Sequence, residues 1–256
     1  GMVNIIFFSP EDLNLIKNGP SERRRFLDME LCQLDRIYID NLSRYNNVLM
    51  QRNHLLRQIK YEEGLRETIS VWDDQLIRYG KELITARDNY IKSINHIAKD
   101  ISKKLTGGKE SLEVIYEPNV SIEEYSEKLK SNHEKDINYC MTHYGPHRDD
   151  MKFIVNGMDM RTYGSQGQKR TAALSLKLSE IEIVKKTTND IPILLLDDVL
   201  SELDRNRQNY LLECFKDVQT IITCTGLEEF INNTSFNNIY RVVNGNVEKE
   251  SIRNEV

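Results

Sequence analysis

The chain has 256 residues, enough to bury a substantial core in one large or two small domains. At 39% hydrophobic and 29% charged it has the composition of a soluble protein, and its net charge of −5 argues against a surface coated in basic groups for nonspecific nucleic-acid binding. A local basic patch remains a matter of distribution. The four cysteines (Cys32, Cys140, Cys214 and Cys224) are far apart and form no CxxC pair, so neither a zinc site nor a disulfide framework is suggested and a reducing cytoplasm fits.

Gly1-Met2 has the form of a tag-cleavage scar ahead of a start residue. VNIIFF, residues 3–8, is too short and lacks the basic flank of a signal peptide, and no apolar stretch approaches the roughly 20 residues of a membrane helix. VNIIFF instead reads as a buried strand. SPEDL then supplies a helix start, with Ser9 as N-cap, Pro10 in the first helical position and acids in the first turn. After a turn at Asn18-Gly19-Pro20, Ser21 is a second N-cap candidate. Leu27, Leu31, Leu34, Tyr38, Leu42, Tyr45, Leu49 and Leu56 recur at three- and four-residue steps, which predicts one long amphipathic helix.

A second stripe, Ile69, Trp72, Leu76, Tyr79, Leu83, Ala86, Tyr90 and Ile97, predicts its partner over about 69–105. Joined by a short YEEGL turn, the two make an antiparallel α-helical arm whose stripes pack on one another. Arg23-Arg24-Arg25 either meets phosphate or forms a solvated first turn. Thr106-Gly107-Gly108 breaks the helix; LEVIYEP is a strand and SIEEYSEKLKSNHEKDINY a further helix.

From Met141 the character changes. MKFIV and MDMR flank an Asn156-Gly157 turn and form a hairpin. Then follow the helix of GQKRTAALSLKLSEIEIVKKT, the strand PILLLD, a helix after Asp204, the strand QTIITC, a short helix at GLEEFI and the strands IYRVV and NVEKE. Strands alternating with helices indicate an α/β fold with a largely parallel sheet.

Two segments carry chemistry. The aliphatic strand PILLLDD ends in Asp197 and Asp198, and ligands of parallel sheets sit beyond the carboxyl ends of the strands. One aspartate can hold magnesium, directly or through water, and a second can orient or deprotonate an attacking water. The same acids could cap the next helix or pair with arginines. A phosphotransferase built on Asp-x-Asp is not supported, because Asp197-Asp198-Val199 lacks that spacing. The second segment is YGSQGQKRT, where Ser165, Gln166, Gly167, Gln168 and a helix N-terminus form a donor-rich element able to face an anion. Read alone, it is better taken as an ordinary Ser-capped helix with a glycine turn.

A Ser-x-Gly-Gln helix start, an apolar strand ending in two acids about 30 residues later, and Ser201-Glu202-Leu203-Asp204 follow the order of signature motif, Walker B strand and D-loop in ABC-type ATPase heads. With FFSPEDLNLIKNGPSERRRFLD and YGPHRDDMKFIVNG, this text closely resembles the RecF family, the bacterial recombination-repair proteins of the SMC-like branch, over essentially the whole chain. The resemblance implies the end of an N-terminal ATPase lobe over residues 1–20, a helical arm over 21–136 and a C-terminal ABC-ATPase lobe over 137–256. In that light Asp197 would bind magnesium through water, and Asp198 would take the catalytic carboxylate position, glutamate in many relatives. Asp204 would communicate across a dimer interface, and Ser165, Gln166, Gly167 and Gln168 would reach the γ-phosphate held by the opposite protomer.

The resemblance further implies ATP and magnesium as cofactors, and a homodimer clamping DNA at single-strand gap junctions. With RecO and RecR it would help load RecA. The phosphate cradle G-x-x-x-x-G-K-[ST] does not occur; the nearest text, TGGKES, follows a helix and has glutamate after the lysine. Family members carry it ahead of VNIIFF, so this chain is expected to be a fragment that neither binds ATP well nor hydrolyses it unaided. Thr223-Cys224-Thr225 stands where many ABC ATPases place a histidine on the γ-phosphate; a hydroxyl there would fit slow hydrolysis, and no residue is assigned. The five histidines show no metal-ligand spacing, and His147-Arg148 reads as structural. Two other readings are another SMC-like head, against which arm helices of only about 50 Å argue, and a non-catalytic DNA- or partner-binding module with a degenerate head.

Overall fold

The computed structural model describes residues 3–214, 217–225 and 236–250. Strand β1 (Ile5–Phe8) is followed by a 3-10 turn at Pro10–Leu13 and helices α1 (Asn14–Lys17), α2 (Pro20–Leu34), α3 (Arg36–Ile59) and α4 (Ile69–Leu105). Next come β2 (Leu112–Glu117), α5 (Tyr125–Ser131), α6 (His133–Tyr139), β3 (Asp150–Val155), β4 (Met158–Asp159), α7 (Met160–Tyr163) and α8 (Gln166–Thr188). The chain then forms β5 (Ile193–Asp197), α9 (Arg205–Cys214), β6 (Thr220–Thr223), β7 (Ile239–Val243) and β8 (Asn246–Glu250). The predicted helix at GLEEFI lies outside the described residues.

The sheet that positions the site runs β1-β5-β6, all parallel, with β5 in the centre. This is the α/β arrangement expected from the alternation of elements. Ile6 and Phe8 point inward, whereas Ile5 and Phe7 are 44% and 50% exposed, so VNIIFF buries one face rather than both. The period-2 geometry of a strand requires that split once only one face is covered; α8 supplies the cover over β1.

Helix α8 is buried continuously from Thr171 to Ile181 and therefore shows little apolar periodicity, as a central helix should. Its Ala172, Ala173, Ser175 and Ser179 are small enough to admit α4 closely, and the two serine hydroxyls donate to the carbonyls of Thr171 and Ser175 one turn back. Helix α4 packs on α3 and on α8, so the arm and the sheet share one hydrophobic core. A smaller cluster of Leu55, Leu56, Ile59 and Ile69 closes the junction between α3 and α4.

The predicted long first helix is two. Asp35 ends α2 in an extended conformation, and its carboxylate accepts the Ile37 N–H at 2.8 Å to cap α3. The start of α2 also differs from expectation: Gly19 is the N-cap and Pro20 the first helical residue, leaving Ser21 inside the helix. SIEEYSEKLKSNHEKDINY likewise divides at Asn132 into α5 and α6, with the Asn132 amide donating to Asp136 at 2.8 Å.

Strands β2, β3 and β4 form a second, antiparallel sheet, and the Asn156-Gly157 turn has both residues in the left-handed region, as a two-residue hairpin demands. Strands β7 and β8 pair as a separate hairpin. Among the described residues no helix is long and apolar enough to cross a membrane.

Candidate functional site

The carboxyl ends of β1, β5 and β6 lie side by side, and the two predicted acids stand at the central one. Asp197 is exposed and in register with Thr223 of β6. The Thr223 hydroxyl donates to Asp197 Oδ1 at 2.5 Å. The next residue, Asp198, turns the chain: its φ of 49° is left-handed, and its N–H is shared between the Thr223 carbonyl at 3.0 Å and the Thr223 hydroxyl at 3.2 Å. Asp198 Oδ1 is buried and, among the described residues, has no hydrogen-bond partner. A buried carboxylate oxygen without a donor is unfavourable for stability.

The backbone explains the residue type. Asparagine and aspartate tolerate the left-handed region better than longer side chains, because a short polar group can bond locally there. Aspartate at 198 therefore suits this turn. Asp198 also raises the thiol pKa of Cys224, after burial as the larger cause.

The SQGQ segment forms the start of α8 as a reciprocal capping box. Ser165 Oγ accepts the Gln168 N–H at 3.2 Å and Gln168 Oε1 accepts the Ser165 N–H at 3.0 Å. Ser165, Gln166 and Gly167 are exposed, and a Cβ at Gly167 would meet nothing within 4 Å. The helix start is thus locally satisfied yet open to an approaching group. A small cleft is lined by Phe8, Ser9, Arg170, Val199 and Leu203, whereas Ser165–Gln168, Asp197 and Asp198 lie outside its lining.

Asp204 is the residue before α9 and caps it, accepting the Arg207 N–H at 3.0 Å and pairing with the Arg207 guanidinium at 2.9 Å. The helix-capping alternative weighed for the acidic strand end thus applies to Asp204, whereas neither Asp197 nor Asp198 caps a helix or pairs with an arginine among the described residues. Gln208 donates to the Leu200 carbonyl at 2.8 Å and ties α9 to the 3-10 turn Leu200–Glu202.

GPHRDD proves to be a hub of the fold. Asp150 pairs with Arg23 at 2.5 Å, and Asp149 with the buried Arg87 at 2.9 Å. Arg24 donates to the Asp149 carbonyl at 2.8 Å, so two of the three consecutive arginines turn inward instead of facing phosphate or water. His147 accepts from Tyr45 and bonds the Thr142 carbonyl, and Arg148 reaches the same carbonyl, as a structural reading of the motif expects.

Sequence reasoning left Thr223 unassigned and did not single out Arg170. The signal for Thr223 is weak: only the register of β5 against β6 makes it the neighbour of Asp197.

No protein-family model matches the chain. It is 59% identical over 250 residues to the DNA replication and repair protein RecF of Lachnoclostridium phytofermentans, covering 97% of this chain and 69% of that protein. To the protein of the same name from Lachnospira eligens it is 57% identical over 254 residues, covering 98% of this chain and 70% of that one. Among solved structures, the recombination mediator protein RecF-ATP in the RecFOR pathway is similar with a TM-score of 0.88 and 36% identity, over 98% of this chain and 68% of that chain. With identities this high over more than two thirds of the relatives' length, the chain belongs to the RecF family of DNA replication and repair proteins.

Proposed function

We propose that this chain is the helical arm and C-terminal lobe, residues 21–136 and 137–256, of an ATP-driven DNA clamp, with 1–20 ending the other lobe. The observation that carries the reading is Asp198 Oδ1, buried and unpartnered beside the exposed Asp197 at the carboxyl end of the central parallel strand. In this reading Asp197 holds magnesium through water from its outward oxygen, and Asp198 orients the water that attacks the nucleotide. The donor set suits such an ion: one or two carboxylates, with the remaining positions left to phosphate oxygens and water. Magnesium with ATP would supply charge neutralisation across the phosphates.

Ser165, Gln166, Gly167 and Gln168 would meet the γ-phosphate held by a second protomer, with the α8 N-terminus adding its dipole. Their openness and the absence of G-x-x-x-x-G-K-[ST] from this sequence support a composite site in which the phosphate cradle comes from residues outside this chain. Asp204, fixed by Arg207, would sit at the interface between protomers. ATP then acts as the contact that closes the dimer, and hydrolysis removes it and lets the clamp open. A solved relative is named as a recombination mediator in the RecFOR pathway; in the reading proposed here the partners are RecO and RecR, the DNA is bound at single-strand gaps and RecA loading is the outcome.

The test is sedimentation velocity on the full-length family member carrying this sequence, with and without ATP and magnesium, beside this chain alone. A shift from monomer to dimer in the full-length protein only is the expected result. If neither responds, the acidic strand end is no part of an ATP clamp and the non-catalytic interaction module is the better reading.

A further inference from the structure

We propose that Thr223 is a positioning residue that sets both acids of the strand end; this rests on the reading of Asp197 as the magnesium-holding carboxylate. Thr223 is the last residue of β6 and lies in register with Asp197 across the parallel ladder. Its hydroxyl proton goes to Asp197 Oδ1 at 2.5 Å, and its oxygen, with its own carbonyl, takes the Asp198 N–H. One side chain therefore fixes the rotamer of the first acid and the backbone turn of the second.

The proton count decides against a phosphate contact. A hydroxyl has a single proton to donate. With that proton on Asp197, Thr223 has none for a γ-phosphate oxygen, so it does not perform the task of the histidine that many ABC ATPases carry at this place. What it does instead is immobilise Oδ1 of the exposed Asp197 and leave Oδ2 outside that bond. It also restrains the left-handed Asp198, whose φ of 49° would otherwise relax and release the buried oxygen. Threonine suits the position because a β-branched side chain has few χ1 choices in a strand.

The experiment compares Thr223→Val, which keeps the shape and loses the hydroxyl, with Thr223→Ser, which keeps the hydroxyl, in the full-length protein. Magnesium is titrated at saturating ATP, and the magnesium concentration for half-maximal dimerisation is read by sedimentation. The same titration then follows ATPase activity. Loss of a group that orients a metal-holding carboxylate commonly weakens the metal by about 10-fold or more, so Thr223→Val should raise the midpoint by at least that factor. Thr223→Ser should restore it to near wild type, and the KM for ATP should hardly move.

Two results overturn the proposal. In one, Thr223→Val leaves the magnesium midpoint and hydrolysis at their wild-type values; in the other, it slows hydrolysis without moving the midpoint, which would place the hydroxyl on the phosphate after all. If the wild-type protein responds to ATP and magnesium in those cases, only the role of Thr223 fails. A wild-type protein that does not respond removes the clamp reading and this inference together. Should Thr223→Val melt below the assay temperature, the pair Thr223→Ala and Thr223→Ser carries the same comparison.

Discussion

Arg52 Nε donates to Asp73 Oδ1 at 2.7 Å with both side chains fully excluded from water. The same guanidinium reaches Asp136 at 2.7 Å and the Thr142 hydroxyl at 2.8 Å, so α3, α4, α6 and the segment beyond α6 converge on one arginine. Asp73 and Asp136 are further bonded by His133 and His143 at 2.5 and 2.7 Å. Lower on the arm Arg87 repeats the device, joining Asp28 of α2 to Asp149. Two buried guanidiniums with paired carboxylates thus fix the arm's helices to one another and to the GPHRDD segment.

Removing one partner of such a cluster leaves the others charged and buried. Arg52→Leu should destabilise the chain by about 3–5 kcal/mol, well beyond the loss of a surface ion pair. Urea unfolding followed by circular dichroism measures this. A loss under about 1 kcal/mol would mean that water reaches Asp73 and Asp136 and that the arm is looser than these contacts require.

A second prediction concerns pH. Burial first of all, reinforced by the charges of Arg148, Arg24 and Arg52, lowers the His147 pKa from 6.5 to about 4 against the pull of the Thr142 carbonyl. Between those values the unfolded chain binds a proton that the folded chain refuses. His147 thus favours the fold above about pH 6.5 and loses that contribution as pH falls towards 4, by at most about 3 kcal/mol. The opposite sign holds for Glu180 and Glu30, whose pKa values burial raises although Lys177 lies 3.2 and 4.0 Å away. Their contribution is complete at low pH and declines as pH rises through their folded values. Stability measured from pH 8 to 5 should therefore fall less steeply in His147→Asn than in wild type, and Glu180→Gln should stabilise the chain at pH 8. Parallel curves for His147→Asn and wild type would show that His147 titrates in the fold as it does in the unfolded chain.

Much of this architecture is readable in the sequence, and the exceptions share a cause. PILLLDD, the Asn156-Gly157 hairpin and the Ser165–Gln168 cap are local patterns, each set by residues within a few positions of one another. The break at Asp35 escapes because the apolar stripe continues through it, so nothing in the period marks where a side chain takes over the backbone bond. Arg52 and Arg87 read as polar positions on amphipathic helices, yet they are among the largest fully or nearly fully buried side chains. Their partners lie 84 and 62 residues away, beyond any window of periodicity. Thr223 is hidden for the same reason: it acts through strand register with a residue 26 positions earlier.

Ser165 offers a way to separate fold from function at the start of α8. Its hydroxyl caps the helix, and aspartate is about as good a cap as serine, whereas alanine costs roughly 1 kcal/mol. Ser165→Asp should therefore leave the melting temperature close to wild type while placing a negative charge where the second protomer's γ-phosphate would lie. Ser165→Ala should lower the melting temperature by a few degrees and weaken ATP-driven dimerisation only modestly. Ser165→Arg should abolish dimerisation through bulk. Sedimentation of the full-length variants with ATP and magnesium, beside thermal melts, gives both readings. If Ser165→Asp and Ser165→Arg dimerise as wild type does, the phosphate does not approach this helix start, and the capping box is a structural element alone.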